Sequence, residues 1–468
     1  MYKRIVLFAI ISLALFGCAS NKKPVGVKGL QVSENGRYFT EEGKPFFWLG
    51  DTGWLLFNKL TREQADQYLE DRKQKGFNVV QVMVLHTVPS VNIYGDSSLV
   101  NGDISKPKVT EGSSFADSTQ YDFWDHIDYV IGKAKEKGIY LAMVPVWGSN
   151  VKNKKVTPEQ AKIYAEFLAK RYKDKRNIIW LNGGDIRGDE GGKVWEMIGS
   201  TLRANDPNHL ITFHPRGRTG SSEWFQDANW LDFNMVQSGH RRYDQDTLAK
   251  EKWHYGEDNW KYIEKDYNLK PVKPTIDGEP SYEDIPQGLH DFSQPKWSDA
   301  DVRRYGYWSV FAGALGYSYG DNSVMQMYNP EKKDPAYGAT RPWQEALNDP
   351  GAGQMVHLKD LMLSRNSYFD RVPDQSLIVG AAGGDGEKYN RLMATRGKDY
   401  IFVYTYTGRN IPLKMGVLSG DQVKASWFNP RDGKTTLIGN IENKGTHQFD
   451  PPGEEKNGND WVLIVDKI

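Results

Sequence analysis

The sequence predicts a (β/α)8 barrel (a TIM barrel, α/β class) followed by a C-terminal antiparallel β-sandwich. Three observations carry this. Eight short apolar runs recur through the first part of the chain with helix-patterned segments between them. Most of the runs are continuous rather than alternating, as expected of strands buried on both faces of a parallel sheet. After Arg365 the helical patterning stops, and strand-like runs separated by turn clusters take over. A doubly wound open sheet is the alternative for the first part. However, its first strand runs into Gly50-Asp51-Thr52-Gly53-Trp54, which lacks the GxGxxG spacing of a nucleotide-binding turn.

Residues 1–17 read as a lipoprotein signal peptide. Lys3 and Arg4 form a basic start, and Ile5 to Phe16 form an apolar stretch too short to span a bilayer comfortably. Leu15-Phe16-Gly17-Cys18 looks like a bacterial lipobox, which makes Cys18, the only cysteine, the lipidation site. A mature chain of this kind has no disulfide, no thiolate metal site and no cysteine nucleophile. Residues 18–27 are a polar tether. The expected location is the cell envelope at the outer membrane, with the lipid as the only membrane attachment.

The catalytic barrel is expected over 28–370 and the accessory sandwich over 371–468. Val32 to Phe47 reads as a hairpin, with turns at Asn35-Gly36 and Glu42-Gly43-Lys44. Barrel strands are expected at Pro45–Gly50, Asn78–Leu85, Ile139–Val146, Asn177–Leu181, His209–Phe213, Leu231–Val236, Lys273–Ile276 and Gly313–Tyr317. Thr61 with Gln64 fits a capping box, and Thr157-Pro158-Glu159-Gln160 combines an N-cap, an N1 proline and a capping-box Gln. Phe123, Ile127, Val130, Ile131 and Ala134 form one apolar stripe, and Trp195–Leu202, Trp260–Tyr267 and Asp301–Phe311 supply further helices. In the last part, Tyr400–Tyr406, Ala425–Phe428 and Trp461–Val465 read as sandwich strands, and the two modules are expected to pack together.

The chain has 60 Lys+Arg and 60 Asp+Glu, so it has no basic excess with which to release phosphate counterions, and nucleic acid is not an expected partner. Catalysis in such barrels is built at the carboxyl ends of the strands. That rule selects Asp51 and Trp54, His86, Trp147, Asn182 and Asp185, His214 and Arg216, His240, Glu279 and Tyr282, and Tyr319. Glycoside hydrolysis needs two carboxyl groups, one a proton donor and the other a nucleophile or base. Asp185 and Glu279 are the best pair. Two glycines before Asp185 let the backbone bend and project a short side chain, and Glu279 should point the same way as Asp277, two residues earlier on an extended segment. Asp277 is an alternative as a deeper orienting group, with Glu283 and Asp189 in reserve. Trp54 is a stacking surface and Asp51 a sugar holder. Arg216 with His214 is a site for an acidic sugar.

Three blocks in order resemble the apiosidase-like glycoside hydrolases, family 140. They are Trp48-Leu49-Gly50-Asp51-Thr52-Gly53-Trp54, Trp180-Leu181-Asn182-Gly183-Gly184-Asp185 and Gly278-Glu279-Pro280-Ser281-Tyr282-Glu283. The C-terminal module is similar to a domain of the collagen-binding type, although nothing in these residues supports a collagen ligand. The resemblance implies a barrel plus sandwich and a β-apiosidase acting on the pectin rhamnogalacturonan II by a retaining mechanism. Under it, Asp185 is acid/base and Glu279 the nucleophile. Many related barrels carry Asn-Glu at the end of strand four, where this chain has Asn182 followed by Gly-Gly-Asp.

Rival readings are a non-catalytic glycan-binding lipoprotein and a serine hydrolase, the latter using Ser318 of Gly316-Tyr317-Ser318-Tyr319-Gly320. The scattered histidines give no metal-ligand spacing, and no cofactor is called for. The expected partner is an oligosaccharide or polysaccharide substrate.

Overall fold

The structure, a computed structural model, describes residues 29–246, 255–332, 335–380 and 385–468. The expected signal peptide, Cys18 and the whole tether lie outside the described residues.

Eight parallel strands form the barrel: β1 (Trp48–Thr52), β2 (Val79–Leu85), β3 (Tyr140–Val146), β4 (Ile178–Ile186), β5 (Ile211–Pro215), β6 (Asn234–Gln237), β7 (Thr275–Asp277) and β8 (Gly316–Ser318). One ladder runs β8-β1-β2-β3-β4-β5 and a second joins β6 to β7. Asp232 N–H bonds Ile211 O at 2.8 Å and Leu315 N–H bonds Thr275 O at 2.9 Å, which closes the circle between the two ladders. Every residue of β2 and β3 is buried, the condition their unbroken apolar runs anticipate.

The antiparallel strands Gln31–Val32, Phe39–Glu41 and Lys44–Phe46 precede the barrel. Lys44–Phe46 therefore belongs to this small sheet rather than to the first barrel strand. Phe39 packs edge-on against Phe233 at 5.0 Å and against Trp48 at 6.5 Å, plugging the amino-terminal end of the barrel.

Around the barrel lie α1 (Arg62–Gln74), α2 (Phe123–Glu136), α3 (Pro158–Tyr172), α4 (Gly192–Asn205), the single turn α5 (Ser222–Phe225), α6 (Asn259–Tyr267), α7 (Asp299–Phe311) and α8 (Pro350–Leu363). Thr61 and Thr157 each form a reciprocal capping box with the Gln three residues on, satisfying two otherwise orphan amides apiece. Two of these eight helices escaped the sequence reading. α5 is too short to show a period, and α8 buries Met355, Leu358, Leu361 and Met362 without a polar face of even spacing.

The C-terminal module has a six-stranded antiparallel sheet facing a two-stranded ribbon, Ile411–Lys414 with Thr446–Phe449. In the strand Tyr400–Thr405, Ile401 and Val403 join the module's own core while Tyr400, Phe402 and Tyr404 turn to the barrel. The period of two thus splits aliphatic from aromatic, one set for each face. Tyr404 stacks on Tyr307 of α7 at 4.7 Å with the planes 7° apart, an arrangement worth about 0.5–1.5 kcal/mol beyond area burial. Asp460 receives two 2.9 Å bonds from Arg303 of α7, so the charge that this interface buries is paired.

Candidate active site

The carboxyl ends of the strands open into a cleft of about 650 Å³ lined by Trp54, His86, Trp147, Asp185, Arg216, Gln237, His240, Glu279, Tyr282 and Tyr337, among others. Its position is that of a substrate site in this architecture.

Asp185 owes its placement to a break in β4. The register shifts between Gly183 and Ile186, and Gly183, Gly184 and Asp185 take φ of 94°, 108° and 48°. A Cβ at Gly184 would sit 2.5 Å from the Trp147 ring, and one at Gly183 would sit 2.6 Å from Phe213. Both glycines are therefore demanded by conformation and by space. The result lifts the Asp185 side chain out of the ladder, exposed at the cleft floor.

Glu279 arrives by a different route. β7 ends at Asp277, whose carboxylate turns outward to Ser238 Oγ at 2.7 Å and Asn259 Nδ2 at 3.2 Å. The expectation that Asp277 and Glu279 share a direction is therefore wrong. The chain bends at Gly278, packed so closely on Met235 that a Cβ would lie 2.5 Å from its sulfur, and Glu279 swings into the cleft.

Two histidines hold Glu279. His240 Nε2 bonds Oε1 at 3.2 Å, and His214 Nε2 lies 3.2 Å from Oε2, too oblique to count as a hydrogen bond but close enough to act electrostatically. His214 also accepts the backbone N–H of Asp185 on Nδ1 at 3.3 Å. That contact fixes the tautomer, placing the ring proton on Nε2 toward Glu279. His214 therefore links the two carboxyl-bearing segments.

The two acids are driven apart electrostatically. Asp185 opens to the cleft but lies deep among protein atoms, and that desolvation, followed by the Glu279 charge, pushes it up to about 6, against the pull of His214, His240 and Gln237. Burial alone would raise Glu279 as well, but the contacts from His214 and His240 outweigh it and hold this carboxylate well below its usual range. One group keeps its proton where the other has lost it, which is the division that acid/base work between two carboxyl groups requires.

Aromatic side chains line the rest. Trp54 meets Trp147 at 5.3 Å and the His214 ring at 5.3 Å, and its Nε1 donates to Tyr282 Oη at 3.2 Å. Tyr282 packs edge-on against His240 at 4.7 Å. His86, Trp147, Arg216, His240 and Tyr282 all reach the cleft, as anticipated.

Other expectations need correction. Asp51 is fully buried behind β1, accepting from Tyr68 Oη at 2.7 Å and from Arg72 Nη1 at 3.2 Å, so it holds no sugar. Asn182 is buried and donates to Trp195 O at 2.7 Å. Tyr319 is buried and donates to Glu283 Oε2 at 2.6 Å. That bond and one from Gly351 N–H occupy Glu283, while Asp189 forms an exposed pair with Arg187. His214 does not meet an acidic sugar, because its ring is spent on Asp185 and Glu279. Ser318 lies buried within β8 and accepts from Trp48 Nε1 at 3.1 Å, which leaves no nucleophile elbow. Among the described residues no three His, Cys, Asp or Glu side chains gather as metal ligands.

Sequence reasoning missed Gln237 and Tyr337. Gln237 is the last residue of β6 and satisfied the same strand-end rule. Tyr337 comes from the long connection after β8, where no pattern marks it.

The profile of the apiosidase-like catalytic domain matches residues 33–369. This chain belongs to the apiosidase-like family of glycoside hydrolases. A second profile, described as "Putative collagen-binding domain of a collagenase", matches residues 372–466. Among solved structures, a glycoside hydrolase is 49% identical with a TM-score of 0.88, covering 94% of this chain and 97% of its own. A glycoside hydrolase family 5 from Bacteroides vulgatus is 46% identical with a TM-score of 0.87, covering 94% of this chain and 93% of its own. No curated protein matches the chain. An apiosidase-like enzyme with this cleft is a glycoside hydrolase built on a barrel-like α/β domain and a C-terminal antiparallel domain.

Proposed function

We propose that this glycoside hydrolase is a retaining β-apiosidase acting on rhamnogalacturonan II side chains of plant pectin. Asp185 is the acid/base and Glu279 the nucleophile. The observation that carries the roles is the opposed protonation of the two carboxyl groups, one pushed up to about 6 and the other held down by two histidines.

In the first step the Glu279 carboxylate attacks the anomeric carbon while Asp185 gives its proton to the leaving oxygen, so the glycosidic bond breaks as the glycosyl–Glu279 ester forms. In the second, the Asp185 carboxylate takes a proton from water, whose oxygen displaces Glu279 and restores both groups. His214 and His240 stabilise Glu279 as a carboxylate before attack and as a leaving group afterwards. The sugar and the linkage rest on membership of the apiosidase-like family. A purely binding protein has no use for two carboxyl groups poised in opposite states.

The test is incubation with rhamnogalacturonan II oligosaccharides, with NMR of the first product. Free apiose released with its anomeric configuration kept is expected. An inverted first product removes the nucleophile role from Glu279, and no apiose from any such oligosaccharide overturns the substrate.

A further inference from the structure

Among the ten described non-glycine residues of positive φ, Tyr337 is the one aromatic, with φ of 49°, and it is followed by Gly338 at 65°. A bulky aromatic residue rarely occupies the left-handed region, at a cost on the order of 1–3 kcal/mol. Such a conformation persists only where the surroundings hold it, and here they do. The Gln326 side chain grips Ala336 from both sides, its Nε2 donating to Ala336 O at 3.0 Å and its Oε1 accepting Ala336 N–H at 2.7 Å. Asn322 Nδ2 donates to Tyr337 O at 3.0 Å. Gly338 packs on Phe292, so closely that a Cβ would lie 3.1 Å from its ring, and the Tyr337 ring meets His290 at 5.8 Å.

Asn322 and Gln326 follow β8, and the second clamp, His290 with Phe292, comes from the connection after β7. Two barrel loops therefore fix the backbone segment that carries one side chain. That side chain lines the cleft, half-buried, within the field of both working acids: burial, then Glu279, then Asp185 raise its phenol above the ordinary value. The hydroxyl keeps its proton, which makes it a neutral donor beside two carboxyl groups.

We infer that Tyr337 is a sugar-contacting, specificity-determining residue, locked in a strained conformation so that its hydroxyl meets the glycosyl unit held between Asp185 and Glu279. This rests on the glycosidase roles proposed for those two residues. The strain is informative because of where the side chain goes: Met327 takes the same conformation, φ 47°, with its side chain in the core, whereas Tyr337 holds its ring to the open cleft.

The experiment compares wild type with Tyr337→Phe, Tyr337→Asn and Gln326→Ala on rhamnogalacturonan II oligosaccharides, alongside thermal unfolding. Tyr337→Phe should lower kcat/KM about 3–10-fold, the loss of one hydrogen bond. Tyr337→Asn should lower it further. Gln326→Ala, which frees the loop but keeps the phenol, should act mainly through KM. Asn enters the left-handed region readily, so the Tm of Tyr337→Asn should stay within about 3 °C of wild type. Wild-type kcat/KM in both Tyr337 variants overturns the inference, as does a larger fall in Tm, which would mark a packing role. The Tm readout needs no sugar. A wild-type enzyme that releases no apiose counts against the substrate, while Tm still decides whether Tyr337 is a packing residue.

Discussion

Asp51 and Asp185 both lie at the carboxyl end of a barrel strand, and they have opposite fates. Asp51 sits in an unbroken strand and points behind it, where Tyr68 and Arg72 of α1 neutralise it in a fully buried pocket. Asp185 sits beyond two glycines of positive φ, which lift it off the ladder and turn it to the cleft. A strand-end position therefore makes a carboxylate available for chemistry only when the backbone breaks the alternation of the pleat. Glu279 obeys the same rule, reaching the cleft through the bend at Gly278 while Asp277 remains outward.

The comparison breaks most visibly in activity. Asp185→Ala and Glu279→Ala should each lower kcat by about 10²–10⁴-fold while the protein stays folded by circular dichroism. Near wild-type turnover in either variant would remove that residue from the reaction. Arg72→Met tests the other side. It strands a buried carboxylate without its counter-charge and should cost about 3–5 kcal/mol in denaturant unfolding. Turnover per folded molecule should be preserved, and its loss would bring Asp51 back into the site.

A smaller effect sharpens the split between the two acids. Glu279 has a folded pKa below its ordinary value, so its charged form persists into acid and activity fails only as pH drops through the lowered value. Asp185 is raised to about 6, so its donor form is lost as pH climbs through that region, giving the alkaline limb of kcat/KM. His240→Gln weakens the hold on Glu279, and the acidic limb should move to higher pH by more than the alkaline limb, which rises as the weaker pull of His240 on Asp185 is lost. A profile in which only the alkaline limb moves would contradict the assignment of acid and nucleophile.

Much of the molecule was legible before its structure. The eight apolar runs, the capping boxes at Thr61 and Thr157 and the change of character after Arg365 rest on local chemistry: burial on both faces, amide satisfaction at helix starts, and turn residues. The same locality let the glycines before Asp185 mark a bend. What it could not reach was direction. Asp51, Asn182, His214 and Tyr319 all satisfied the strand-end rule, yet their partners Arg72, Trp195, Glu279 and Glu283 come from other elements, beyond the reach of local pattern.

By itself, the sequence determined most of the strands and helices and the break in the pleat before Asp185, because those depend on neighbours a few residues away. Only the tertiary structure decided which polar side chains face the cleft, which histidines hold Glu279 down while Asp185 rises, and that Tyr337 stands beside them. These depend on burial and on charges brought close from separate strands, and neither exists until the barrel closes.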